Sequence, residues 1–402
     1  MRILVVQESD WIERGPHHSH HLMERLSKRG HEIRVIDHEI LWKEREKNGL
    51  ISQRHVFVDV HKALNDGSVT VIRPPFIKMP VLDYVSLICT HYREIKRQIE
   101  EFQPDVVIGF GILNANIAIR LSREKDIPFL YYILDELHRL VPEKTFRDFA
   151  GYIESKNMEN ADIVISINEG LREYSIKMGA HKEKTYVVRA GVDLERFVSD
   201  GREMVREKYG ILDDDIVLFF MGWLYDFSGL KEVALELAKC EKDNIKLMVV
   251  GKGDLWDTLQ EIRSNYCMER KLITIDWVPY NDVPKYLSAS DICILPAYKN
   301  EIMRNIVPIK MYEYMAAAKP VIASNLYGIM KEFGNDNGIF YVARPEDVLT
   351  RALELDGCFD EAGRRAKKFV ENNNWDALTK YFENILSMSS GGKIGHIWKK
   401  DS

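Results

Sequence analysis

NIVPIKMYEYMAAAKPVIAS, residues 305–324, is the stretch on which the reading of this chain turns. Pro308 stands where a helix is expected to start, a position at which its missing N–H is not needed. Lys310, Glu313 and Tyr314 then fall about one turn apart, so a cation and a carboxylate share one face. Small residues follow from Ala316 to Ala318, and Lys319-Pro320 ends the helix. VIAS (321–324) reads as a buried parallel strand. A helix N-terminus offers unpaired N–H groups and a positive dipole end, a ready place for a phosphate. A carboxylate one turn further in can accept hydrogen bonds from vicinal hydroxyls such as a ribose carries. The competing reading is a surface helix with an i,i+3 ion pair.

Outward from this stretch, strands and helices alternate in both directions. Upstream lie DIVLFFMG, IKLMVVG, LITIDWV and DICILP, separated by helices starting at Leu230, Leu255 and Val283. Downstream the chain is helical over 345–355, 360–371 and 375–386. Nearer the N-terminus, RILVVQ (2–7), HEIRVID (31–37), HVFVDV, SVTVIR, PDVVIGF, PFLYYIL, ADIVISI and TYVVR read as strands. Gly191-Val192-Asp193 and the polar run to Gly201 look like a hinge. Near-continuous apolar strands alternating with helices predict an α/β fold of doubly wound parallel sheets. The expected organisation is two Rossmann-like domains facing a cleft. Residues 1–190 and 191–374 form these domains, a helix over 375–388 packs back toward the first, and 389–402 form a flexible Gly-rich, basic tail.

Composition narrows the class. The chain has 402 residues, enough for two domains of about 100–200 each. A net charge of −6 implies no general attraction to nucleic acid or acidic membranes. The five cysteines are scattered without ligand-like spacing, which points to a reduced, cytoplasmic protein without disulfides or a zinc site. No apolar run approaches the roughly 20 residues that cross a bilayer, and MRILVV reads as a strand rather than a signal peptide. The basic end of a helix over 80–102 (His91, Arg93, Lys96, Arg97) is a solvated face or a contact for a membrane surface or the acceptor. No G-x-G-x-x-G follows the first strand, so dinucleotide binding is not supported.

Several segments, in order along most of the chain, resemble one family. They are the Gly15 loop after the first strand, RGHEIRVI (29–36), ADIVISIN (161–168), AGVDLERF (190–197) and MGWL with SGL beyond it (221–230). VVGKGD (249–254), VPYNDVPKYLSASDICILP (278–296) and PIKMYEYMAAAKPVIAS (308–324) complete the set. Together they resemble the retaining GT-B glycosyltransferases of family four. That resemblance implies a nucleotide-sugar donor, UDP- or GDP-linked, held by the C-terminal domain, with no other cofactor and no metal. Glu313 is then expected to take the ribose hydroxyls. The main chain over Ile306, Val307, Pro308 and Ile309 would cap the diphosphate, with Lys310 beside it, and Asn305 could hydrogen-bond a sugar hydroxyl. Gly15, Gly222, Gly251 and Gly253 would admit the donor close to the backbone, and Val278 would flank the base. The glycines equally suit tight turns.

The family usually carries Gly-Arg after the first strand of the C-terminal domain and a lysine shortly beyond. Here those positions read Gly222-Trp223 and Ser228, so two cations are missing where diphosphate charge develops. Lys310, Arg304 and Arg189 are candidate replacements. The first glutamate of the family's pair falls on Asn305, with Glu301 nearby. In the N-terminal domain the family's sugar-contacting histidine position is Leu134, and Asp135 and His138 follow. They are expected to touch sugar or acceptor hydroxyls, unless Asp135 caps a short helix and His138 is solvated. The cluster His17, His18, His20 and His21 fits acceptor or phosphate contact by one histidine, or solvated loop residues, better than metal.

The resemblance implies sugar transfer to a hydroxyl of a sugar or lipid-linked acceptor in polysaccharide or glycolipid synthesis. Front-face departure of the diphosphate would retain the anomeric configuration without paired catalytic carboxylates. Two alternatives stay open: a GT-B sugar-nucleotide epimerase, and a sugar-nucleotide-binding protein with reduced catalysis.

Overall fold

The computed structural model describes residues 1–13, 16–39, 49–64, 66–80, 82–141, 144–301 and 303–389. It divides into two compact units, Met1–Arg189 with the segment from Trp375, and Ala190–Asn374. The expected tail, apart from Ser389, lies outside the described residues, as does Gly15.

The first unit is built on strands β1 (Arg2–Val6), β2 (Glu32–Ile36), β3 (His55–Val60), β4 (Val69–Arg73), β5 (Val106–Gly109), β6 (Phe129–Ile133), β7 (Ile163–Ser166) and β8 (Thr185–Val187). They form one sheet in the order β3-β4-β2-β1-β5-β6-β7-β8. In register, Val5 of β1 lies opposite Val35 of β2 and Ile108 of β5, all parallel. One edge departs from the all-parallel expectation: β3 runs antiparallel to β4. Its residues are mostly exposed, so it lacks the two-sided cover that parallel strands need, and a short antiparallel return suffices.

Alternation along β1 shows why helices cover both faces. Ile3 and Val5 point into one core layer with Leu22, Leu26, Trp375 and Phe382; Leu4 and Val6 point into the other with Ile95, Ile99, Ala115 and Ile119. The helix Leu82–Glu101 follows the same logic, burying Leu87, His91, Ile95 and Ile99 at four-residue spacing. The helix Trp375–Ser389 closes the first layer. Burying each of Phe382, Ile385 and Leu386 contributes about 1.5–3 kcal/mol.

The second unit carries β9 (Ile216–Met221), β10 (Ile245–Val250), β11 (Leu272–Ile275), β12 (Ile292–Leu295), β13 (Val321–Ser324) and β14 (Ile339–Val342), all parallel, in the order β11-β10-β9-β12-β13-β14. The chain winds outward from β9 first to one side and then, from β12, to the other. The switch point between β9 and β12 is where an open α/β sheet leaves a crevice at its strands' carboxyl ends.

The opening stretch lies at that point. Its helix runs Ile309–Ala316; Pro308 stands one residue ahead, with ψ 136°, and caps the helix through its carbonyl, which accepts the Met311 N–H at 3.0 Å. The other end stops before Lys319-Pro320. Ala318 adopts left-handed φ of 55°, and the Lys319 N–H reaches back to Tyr314 O at 3.1 Å. Gly363 lets a later helix press onto this turn, since a Cβ there would meet Ala318 O. The surface-helix reading is overturned: Met311 through Ala316 are all buried.

Candidate donor site and the first unit's polar cluster

Because the 309–316 helix follows β12, it lies beside the end of β9, and its side chains seize that strand's last residue. Lys310 Nζ donates to Met221 O at 2.7 Å, and the Met221 N–H donates to the Tyr314 hydroxyl at 3.0 Å. Lys310 also stands 4.2 Å from the centroid of the Phe220 ring. Burial pushes its ammonium down to about 8, against the pull of Glu313. Lys310 and Glu313 form no ion pair with one another among the described residues. Glu313 turns instead to Tyr280, whose hydroxyl donates to Oε1 at 2.5 Å. Burial raises the Glu313 carboxyl, while Tyr280, Lys310 and Arg196 pull it down. By helix geometry the N–H groups of Ile309 and Lys310 have no partner inside the helix. A dipole end, a lysine and a buried carboxylate therefore converge within one helical turn.

Three strand-end loops complete the surroundings. Gly222 N–H donates to Val250 O, Leu224 N–H to Lys252 O and Gly251 N–H to Ile275 O, at 2.9, 2.8 and 2.9 Å. A Cβ on Gly251 (φ 146°) would lie 2.0 Å from Gly222 O, and one on Gly253 (φ 150°) 2.5 Å from Leu224 N. Both glycines are thus required by backbone meeting backbone within the unit, before any ligand is considered. Gly222 borders Lys310: a Cβ there would stand 2.8 Å from Nζ. A cavity of about 500 Å³ opens beside these loops, lined by Trp223, Lys252, Gly253, Trp256, Asp257 and Asp276. Lys252 and Asp276 pair across it at 3.1 Å. Val278 is half-buried next to exposed Trp277.

The remaining residues at the helix entrance are half-buried Asn305, Ile306 and Pro308, and buried Val307. Gly328 presses on Asn305, where a Cβ would come within 2.8 Å of its carbonyl carbon. Of the candidate replacement cations, Arg304 lies over the Tyr327 ring at 5.7 Å, and Arg189 belongs to the first unit, 3.8 Å from Glu169. Ser228, where the family carries lysine, is buried with its Oγ unpaired.

In the first unit, Asp135 and His138 follow β6. Asp135 does not cap the short 3₁₀ turn Leu137–Leu140; Glu136 holds that position. Burial, assisted by Glu136, pushes the Asp135 carboxyl up to about 7. His138 is not a solvated residue. Its Nδ1 lies 2.8 Å from Glu154 Oε2 and 3.1 Å from the Tyr174 hydroxyl, and its backbone N–H also donates to Glu154. Glu154 is fully buried, and it orients the ring.

Three of the clustered histidines, His18, His20 and His21, are buried packing residues rather than solvated ones, while His17 is exposed. His18 Nε2 lies 2.5 Å from the Tyr132 hydroxyl, which donates to Val188 O at 3.2 Å. His21 stacks on Trp375 with centroids 4.4 Å apart, and Arg25 covers the same ring while bonding Asp376 at 3.2 Å. Glu383 takes His31 at 2.7 Å and Arg29 at 2.6 Å. These residues bind the helix Trp375–Ser389 to the helix His18–Lys28.

Residues 16–196 match the family described as Glycosyltransferase Family 4, and residues 201–355 match Glycosyl transferases group 1. The chain belongs to the GT-B glycosyltransferases of family four. It is 25% identical over 238 residues to a glycosyltransferase of Methanocaldococcus jannaschii, covering 56% of this chain and 60% of that one. It is 22% identical over 272 residues to the capsular polysaccharide biosynthesis glycosyltransferase CapM of Staphylococcus aureus, covering 63% and 70%. The chain spans 60%, 64% and 61% of the length of three curated relatives it matches. The solved structure of HepE from Anabaena in complex with UDP shares the GT-B fold, with TM-score 0.72 at 15% identity over 96% of this chain and 100% of that one. None of these similarities points to an epimerase. Tyr280, which bonds Glu313 from outside its helix, and Arg196, which covers the Tyr280 ring, both lie in segments that carry the family resemblance, but nothing in their spacing marks them as partners of Glu313.

Proposed function

We propose that the protein transfers a sugar, with retention, from a UDP- or GDP-sugar to an acceptor hydroxyl, without a divalent metal. One observation carries this reading: the buried Glu313 carboxylate and Lys310 stand at the open N-terminal turn of one helix, at the sheet's switch point. Glu313 accepts the ribose hydroxyls, the N–H groups of the first turn hold the diphosphate, and Lys310 supplies the cation. In the reaction the bond from the anomeric carbon to the diphosphate oxygen breaks and the acceptor oxygen forms its bond on the same face. The acceptor's proton passes to the departing diphosphate. Helix dipole and ammonium together carry the developing charge, which is the term a metal otherwise supplies. Solved HepE structures hold UDP and UDP-glucose, which supports a nucleotide-sugar donor.

The acceptor is a sugar or a lipid-linked sugar, in keeping with CapM's role in capsular polysaccharide biosynthesis. Asp135 and His138 serve acceptor hydroxyls on the first unit, with the high-lying Asp135 carboxyl suited to proton exchange near neutrality. Among the described residues no helix is long and apolar enough to cross a membrane. The helix Leu82–Glu101 exposes Leu82, Val85, Ile88 and Tyr92, followed by exposed Arg93, Lys96 and Arg97. An apolar stripe running into a cationic one suits peripheral contact with an anionic lipid surface.

Mass spectrometry of a donor panel with mono- and lipid-linked acceptors tests the reaction. Glycosylated acceptor with free nucleotide is the expected product, and isomerised donor overturns the reading. Co-sedimentation with phosphatidylglycerol vesicles, weakened by Val85→Glu and Ile88→Glu, tests the lipid contact.

A further inference from the structure

We infer that Tyr280 and Arg196 are positioning residues that set which oxygen of Glu313 meets the donor. This rests on the donor-site reading above and names the device that makes it selective. Tyr280 follows β11, 33 positions before Glu313 in the chain, and its hydroxyl donates to Glu313 Oε1 at 2.5 Å. Among the described residues Oε2 has no such partner, so one oxygen is held and the other is left for vicinal hydroxyls. The Tyr280 ring is itself fixed from two sides. The Arg196 guanidinium covers it at 5.0 Å, and Phe197 meets it edge-on at 6.3 Å. Arg196 in turn stands 4.0 Å from Asp193. Three segments far apart in the chain thus converge on one carboxylate: 193–197, the loop at Tyr280 and the helix Ile309–Ala316.

The arrangement has two chemical consequences. A carboxylate already accepting one strong hydrogen bond is locked in rotation, so hydroxyls approaching Oε2 meet a fixed acceptor rather than a swinging one. The charged groups facing Glu313 are Lys310 on its own helix and Arg196 from the segment ahead of β9; with the Tyr280 hydroxyl they favour the ionised form that burial opposes. Removing the hydroxyl therefore loosens the carboxylate and raises the pH at which it takes up a proton.

The test uses the full chain, with UDP-glucose and GDP-mannose as probes, because their diphosphate diesters do not titrate between pH 4 and 9. The better-bound probe is followed by calorimetry across that range for the wild type, Tyr280→Phe, Arg196→Met and Glu313→Gln. Tyr280→Phe keeps the ring between Arg196 and Phe197 and removes only the hydroxyl. It is expected to weaken binding about tenfold at pH 7, the value of one hydrogen bond to a charged group. The acid limb of its binding profile moves up by about half a pH unit or more, with Arg196→Met shifting it the same way and Glu313→Gln abolishing it. Wild-type affinity and an unmoved acid limb in Tyr280→Phe, while Glu313→Gln has lost the limb, overturn the inference and leave the donor site standing. Binding of neither probe by the wild type at any pH overturns both.

Discussion

Lys310 and Met221 are joined by a hydrogen bond of 2.7 Å from ammonium to main-chain carbonyl, so the lysine at the candidate phosphate end is already engaged by the last residue of β9. Tyr314, one turn on, takes the N–H of the same Met221. The clamp fixes the helix N-terminus against the central strand and holds the ammonium over the Phe220 ring. With Trp223 and Ser228 in place of the family's cations, the proposed donor site would place a larger share of the diphosphate charge on this lysine.

Lys310→Met is expected to lower kcat by about a hundredfold while leaving the fold intact, the usual loss when one preorganised charge-stabilising donor is removed. Because burial holds the Lys310 ammonium down to about 8, it loses its charge as pH rises through that value. Turnover should therefore fall above pH 8 in the wild type and lose that alkaline limb in Lys310→Met. Steady-state rates between pH 6 and 9.5 check both.

Glu313→Ala removes the acceptor proposed for two ribose hydroxyls and is expected to weaken nucleotide binding by about tenfold or more. Calorimetry with UDP and GDP measures it directly, and an unchanged dissociation constant would sink the ribose assignment.

His18, His20 and His91 are buried and held down to about 3 by desolvation. Their folded values lie below the unfolded value of about 6.5, so their contribution is fully present above that pH and is lost as pH falls from 6.5 toward 3. Each should cost up to about 1.4 kcal/mol of stability per pH unit in that window. Urea midpoints at pH 7.5, 6 and 5 reveal the slope. His91→Leu, at a site where neither ring nitrogen has a partner, should flatten it.

Trp375→Ala empties the place where His21 stacks and Arg25 rests, and is expected to destabilise the first unit by about 3–5 kcal/mol. Denaturant unfolding followed by tryptophan fluorescence would register it, with the second unit's transition unmoved.

Much of the fold is legible in local pattern. Apolar runs such as VVIG, FLYYI and IVIS, each bounded by helical periodicity, announce buried parallel strands, because such strands must be apolar on both faces. The helix after Pro308 and its following strand are also visible, since their signals lie within a few residues of one another. The antiparallel direction of β3 is not, because strand periodicity is the same in either sense of pairing.

The site is only half legible. Lys310 and Glu313 stand out by spacing on one helix, but their partners do not: Met221 and Tyr280 arrive from distant strand ends. His18 and His21 show the same limit, because their packing partners Tyr132 and Trp375 come from distant segments. Gly251 and Gly253 do too, since their neighbours are other backbone atoms of their own unit. Sequence by itself determined the alternation of elements, the two sheets and the chemistry available on one helix, because periodicity and helix spacing are local quantities. Tertiary structure alone decided which oxygen, ring or carbonyl each of those groups meets, because strand order at the β9–β12 switch point brings together residues that no spacing connects.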